Sequence, residues 1–168
     1  YLGWHDSFAS PAFTRRQKAY AEAFGERMVY TPQMVVDGRK GIVGSKAEAV
    51  KAAIAAALDR PDTADVSIEA GPDGLSVALA ATGQPMPEAV VSLVTYAGPQ
   101  TVAITRGENS GHAITYTNPV RSWMRLGDWR GEAASWRVPF PEDAAGVAVL
   151  VQEAASMAIL GAARHEWP

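Results

Sequence analysis

The sequence predicts an α+β protein in two parts. Residues 1–60 read as a helix, strand, hairpin, strand, helix unit, and residues 61–168 as a β-rich domain of antiparallel sandwich type. Three observations carry this. Asp37-Gly38 lies between two short apolar runs, Gln33 to Val36 and Gly41 to Val43, and a tight hairpin turn needs the positive φ that Gly adopts without steric cost. Val50, Ile54 and Leu58 recur every four residues along an Ala-rich stretch, which is a helical period. Beyond Asp59 to Ala64, a polar linker with a proline, short strand-like runs and turn residues alternate at about ten-residue spacing, as in a sandwich.

The elements follow in order. Ser10-Pro11 opens the first helix, with Ser at the N-cap and Pro at the first helical position. Phe13, Gln17, Tyr20 and Phe24 share one side of it, Gly25 suits its C-terminal cap, and Arg15, Arg16 and Lys18 read as a solvated face. After the hairpin, Gly44 ends the return strand. Ser45 and Glu48 then have the spacing of a capping box for the second helix.

In the second part, Val66 and Ile68 alternate, Gly71 to Gly74 turns, and Leu75, Val77 and Leu79 alternate back. Ala89 to Tyr96 is apolar on both faces at Val90 and Val91, so it reads as a central strand. Further strands are predicted at Thr101–Thr105, His112–Thr117, Val120–Leu126, Ser135–Val138 and Val147–Gln152. Met157–Ala162 reads as a last strand or a short helix.

Composition narrows the function. The net charge of −3 and the lack of a Lys/Arg run argue against nucleic-acid binding, whose affinity rests on phosphate neutralisation. No apolar run approaches the roughly 20 residues of a membrane-spanning helix. The sequence shows no signal peptide. It contains no cysteine, so this chain by itself has no thiolate nucleophile and no thiolate metal site. His5, His112 and His165 lack metal-ligand spacing, and neither a GxSxG elbow nor a P-loop or dinucleotide fingerprint occurs. No metal or cofactor is expected.

Two surface features remain as candidates for recognition. Trp4, His5 and Asp6 form a compact polar–aromatic cluster, which as a packed loop would be structural and beside a site would be functional. Arg106, Glu108, Asn109 and Arg121 form a polar set that reads either as turn chemistry or as a recognition surface for a peptide or neighbouring domain. Trp123, Trp129 and Trp136 lie close in sequence and would suit a binding face if exposed, although core packing is the default for indoles.

Three phrases carry a family resemblance: Tyr1 to Pro11 (YLGWHDSFASP), Val29 to Gly38 (VYTPQMVVDG), and Arg106 to Asn109 with Tyr116, Asn118, Val120 and Arg121. The chain resembles a bacterial family, the domain of unknown function 1223, whose members are described as secreted and thioredoxin-like. The resemblance runs from Tyr1 to about Arg164.

It implies that residues 1–60 are the C-terminal part of a thioredoxin-like domain. It also implies that Thr31–Pro32 is a cis bond facing a Cys-x-x-Cys segment on a first strand–helix junction. The bare sequence would predict trans, as most X–Pro bonds are. By the same resemblance the sequence begins after that segment. Strand Gln33–Val36 would then lack its usual neighbour, and a preceding segment or a second copy is expected to complete the sheet.

Two functions follow as expectations. In the first, the whole protein is a secreted or periplasmic thiol-disulfide oxidoreductase. Tyr30, Thr31 and Pro32 hold the backbone of a protein or peptide substrate, and no residue of this chain is catalytic. In the second, the protein is a non-enzymatic envelope protein-binding or scaffold module that uses its β-rich domain.

Overall fold

The computed structural model describes residues 10–83, 86–104 and 110–167. Among these residues the chain is α+β, with two helices and mostly antiparallel sheets. Helix α1 (Pro11–Ala23) starts as predicted: the Ser10 hydroxyl accepts from Phe13 N at 3.2 Å, and Pro11 is the first helical residue. It ends at Phe24 and Gly25. Gly25 has φ 67°, and Glu26 N and Gly25 N donate to the carbonyls of Ala21 and Glu22, the paired bonds of a Schellman cap.

Strands β1 (Gln33–Val36) and β2 (Lys40–Val43) pair antiparallel. Arg39 N donates to Val36 O across Asp37 and Gly38, both at positive φ (54° and 63°), as the predicted turn requires. Two features of α2 (Ala47–Leu58) depart from expectation. Its N-cap is Lys46, with no side-chain cap bond, and Glu48 instead pairs with Lys51 on the surface. The Val50–Ile54–Leu58 stripe does not face the hairpin as a unit. Val50, Ala53 and Ala57 are half-buried, whereas Ile54 is 43% and Leu58 82% exposed. The small Ala side chains let α2 lie close to β1 and β2, so the helix turns its bulkier residues outward.

Nine strands follow: β3 (Ala64–Gly71), β4 (Gly74–Ala81), β5 (Ala89–Tyr96), β6 (Gln100–Ala103), β7 (Ala113–Tyr116), β8 (Val120–Trp129), β9 (Ala134–Val138), β10 (Gly146–Glu153) and β11 (Ile159–Glu166). One sheet has the order β11-β10-β5-β8, a second β3-β4-β9, and β6 with β7 forms a separate hairpin. The apolar alternation of β4 (Leu75, Val77, Leu79) meets Val91, Leu93, Val147, Val149 and Val151 of the larger sheet. The fully buried Trp129 completes this core.

Strand β5 is central and buried on both faces, as its sequence indicates. Strand β8 runs past the predicted end at Leu126. Its register against β5 shifts between Val91 and Ser92, a bulge that takes up one residue and carries the strand on to Trp129. The chain end is strand, not helix. Met157 stands at positive φ in the turn after β10, which delays β11 to Ile159.

The two parts of the chain touch through specific groups. Ile159 N donates to Asp37 O at 3.0 Å, and Gln152 Nε2 donates to the Tyr20 hydroxyl at 2.9 Å. Within the second part, the next residue, Leu160, accepts from Thr63 N through its carbonyl at 2.8 Å. Gly38 packs against the Met157 carbonyl and Ala158. Within the first part, Arg60 bridges to the Asp37 carboxylate at 2.5 Å.

Candidate functional site

A cleft of about 590 Å³ lies beside Thr31 and Pro32. Helix α1 forms one wall with Phe13, Gln17 and Tyr20, which the helical period places on one side. Gln33 and Val35 of β1 form another wall, and Tyr116 of β7 reaches it from the distant hairpin. Thr31 and Pro32 are exposed at its rim, and the peptide bond between them is cis.

An amide and carboxylate network fixes the segment. Gln17 Nε2 donates to Tyr30 O at 3.0 Å and to Gln33 Oε1 at 3.3 Å, so one side chain of α1 holds both sides of Thr31–Pro32. Gln33 Nε2 and the Tyr30 hydroxyl both donate to the Glu26 carboxylate, at 3.3 and 3.4 Å. Gly41 makes room for that carboxylate, because a Cβ there would come within 3.1 Å of Glu26 Oε1. On the far side, Gly44 N donates to Pro32 O at 2.8 Å.

Thr31 itself is different. No backbone hydrogen bond ties its N–H or C=O to another described residue. Strand β1 pairs only with β2, so its other edge carries unpaired backbone groups among the described residues. The cleft therefore offers peptide N–H and C=O groups next to an apolar and amide-lined wall. That chemistry suits binding of extended polypeptide.

The other predicted site residues fall elsewhere. Tyr30 is half-buried and serves the network through its hydroxyl and carbonyl. Trp4, His5, Asp6, Arg106, Glu108 and Asn109 lie outside the described residues. Arg121 is exposed near the start of β8. The tryptophans do not form an exposed face: Trp129 is fully buried, Trp136 packs against the core, and Trp123 is covered by the guanidinium of Arg16, 3.9 Å from its ring centroid. Arg16 is thus not on a solvated face. Burial holds its guanidinium below the ordinary value, while the Tyr20 hydroxyl opposes that shift. The pairing of Arg16 with Tyr20 four residues on was the available signal for this. Glu26 and Tyr116 carried no local signal for their part in the cleft.

Residues 1–152 match the family model described as Protein of unknown function (DUF1223). The chain belongs to this family. Among solved structures, DUF1223 residues of this chain are similar to protein AGR_C_4864 from Agrobacterium tumefaciens. The two are 28% identical, with a TM-score of 0.81, and the match covers 98% of this chain and 74% of that one. No protein of curated function matches the chain. Among the described residues of this DUF1223 chain, no helix is long and apolar enough to cross a membrane. Nor do three or more metal-ligating side chains gather there.

Proposed function

We propose that the Thr31–Pro32 cleft holds the extended backbone of a protein or peptide. The observation that carries this reading is the backbone of Thr31, which bonds to no other backbone group among the described residues, at the rim of the cleft. An extended peptide there would satisfy the Thr31 peptide groups, with Gln17, Gln33 and Tyr116 contacting its side chains.

The order of helix, cis Thr-Pro segment, strand, hairpin and helix agrees with the C-terminal part of a thioredoxin-like domain, with 1–60 and 61–168 as separate domains. On that reading the whole protein is a secreted thiol-disulfide oxidoreductase. Its two thiols come from a segment before Tyr1, because this chain has none. The same segment covers the free edge of β1 and the exposed Met34, Ile54 and Leu58. The greater length of the Agrobacterium chain is consistent with such a segment.

Two measurements test the parts separately. Addition of an unstructured peptide should shift the amide resonances of Thr31 and Gln33; unchanged resonances there would remove the binding reading. Protein extended upstream to include a dithiol should reduce a peptide disulfide. Failure to turn over would remove the redox reading and leave the binding one standing.

The scaffold alternative, a β-rich binding surface around Trp123 to Trp136, is disfavoured by the burial of Trp129 and the packing of Trp136 against the core.

A further inference from the structure

A second cleft, of about 430 Å³, lies on the other side of α1, against the outer face of the larger sheet. Arg16 forms its helix wall, Trp123 and Arg125 its β8 wall, Gln152 and Glu153 its β10 wall, and Ser92 lines it from β5. Register explains the grouping: Ser92 stands opposite Arg125, and Val94 opposite Trp123, on the face of β5 turned away from the core.

Two groups in this cleft keep hydrogen-bonding capacity facing it. Arg16 is drawn out of water, stacked on Trp123 and bonded through one nitrogen to the Tyr20 hydroxyl at 2.9 Å. That bond uses one of five guanidinium N–H donors. No carboxylate among the described residues pairs with it. The other basic group, Arg125, is already paired with Asp128, and Glu153 is bonded by the Ser156 hydroxyl. Ser92 lines the cleft, and no described residue bonds its hydroxyl, which is open to solvent there. Gln152, by contrast, is committed: its Nε2 donates to Tyr20 Oη at 2.9 Å and to Met157 O at 2.5 Å.

We infer that this cleft is a binding site for an oxyanion, a carboxylate or phosphate group held by Arg16 and Ser92. An acceptor oxygen there takes further guanidinium N–H groups and the Ser92 hydroxyl, and supplies a counter-charge that no described residue gives Arg16. Trp123 and Tyr20 keep the guanidinium plane in place before the ligand arrives, which lowers the ordering cost of binding. The site is independent of the Thr31–Pro32 cleft and of any thiol chemistry.

The test is a titration of the 168-residue chain with inorganic phosphate and, separately, with acetate. It is followed by NMR at the Arg16 side-chain Nε–H and the Ser92 amide. A saturable shift at both sites with either anion is the expected result, and the anion that saturates first names the source. Arg16→Gln should weaken binding about tenfold or more, the usual weight of a charge-assisted bond.

Ser92→Ala is the second variant, because Arg16 also packs α1 on the sheet. It should weaken binding about fivefold while leaving unfolding stability unchanged or raised, since an unpaired hydroxyl contributes nothing to the fold. The inference is overturned if neither anion gives a saturable shift up to about 20 mM. It is also overturned if Ser92→Ala destabilises the fold and binds as the parent does.

Discussion

Gln17 Nε2 lies 3.0 Å from the carbonyl oxygen of Tyr30, so a side chain of α1 positions the backbone that leads into Thr31–Pro32. Its second bond, to Gln33 Oε1, holds the first residue of β1. Replacement Gln17→Ala removes both and leaves their acceptors partly buried. A loss of about 1–2 kcal/mol in urea unfolding is expected. Faster amide exchange at Gln33 should accompany it, with exchange in β4, β5 and β10 unchanged. Equal loosening throughout would show that Gln17 acts on the whole fold and not on the cleft segment.

Gly38 answers two demands at once. Its φ is positive, and a Cβ would run into the Met157 carbonyl and come within 3.1 Å of Ala158 Cα. Gly38→Ala should therefore destabilise by more than about 1 kcal/mol, above the cost of a strained turn alone. Gly25→Ala is the control. It shares the positive φ but has open space around it, so it should cost less. A comparable loss at the two positions would remove the packing part of the argument.

Leu58, at 82% exposure, buries little in this chain. Leu58→Ser should change its stability by less than about 0.5 kcal/mol. In a protein extended upstream of Tyr1, the same change should cost about 2 kcal/mol, the value of a Leu side chain taken out of water. Thermal unfolding of the two pairs decides it. A neutral substitution in both lengths would show that no upstream segment covers α2.

Tyr96 donates its phenolic hydrogen to Glu166 Oε1 at 3.1 Å. Burial, then that hydrogen bond and the Glu166 charge, raise its pKa above the ordinary 10.0, with Arg164 opposing. The folded state thus holds the proton more tightly than the unfolded chain. This contribution is fully present below the ordinary value and is lost as pH rises through the higher folded value. Phenolate absorbance should show one tyrosine titrating late. Glu166→Gln should bring it back toward the ordinary value; an unmoved titration would rule out Glu166 as a cause.

Local demands of the backbone were legible in the sequence. Ser10-Pro11 capped α1, Asp37-Gly38 made the turn, and alternation in β4 marked the inward face, because each depends on neighbours in the chain. Relationships across the chain were not. The Val50–Ile54–Leu58 period showed a helix but could not say that Ala53 and Ala57 would take the inner face. Arg16 looked solvated, since the indole it covers lies more than a hundred residues away at Trp123. Tyr116 reaches the Thr31 cleft only because the β6–β7 hairpin stands beside α1, which no local pattern encodes.

Ile159 and Leu160 are neighbours in β11, and through successive backbone groups they hold Asp37 of the hairpin and Thr63 beside β3. A pull on the hairpin is therefore felt one residue away from the seam between the sheets. Load applied at the Thr31 end of the molecule should first slacken the Ile159 amide, and next the Thr63 amide, before the buried β5 yields. This pair makes β11 a mechanical coupling between the hairpin and the sheets.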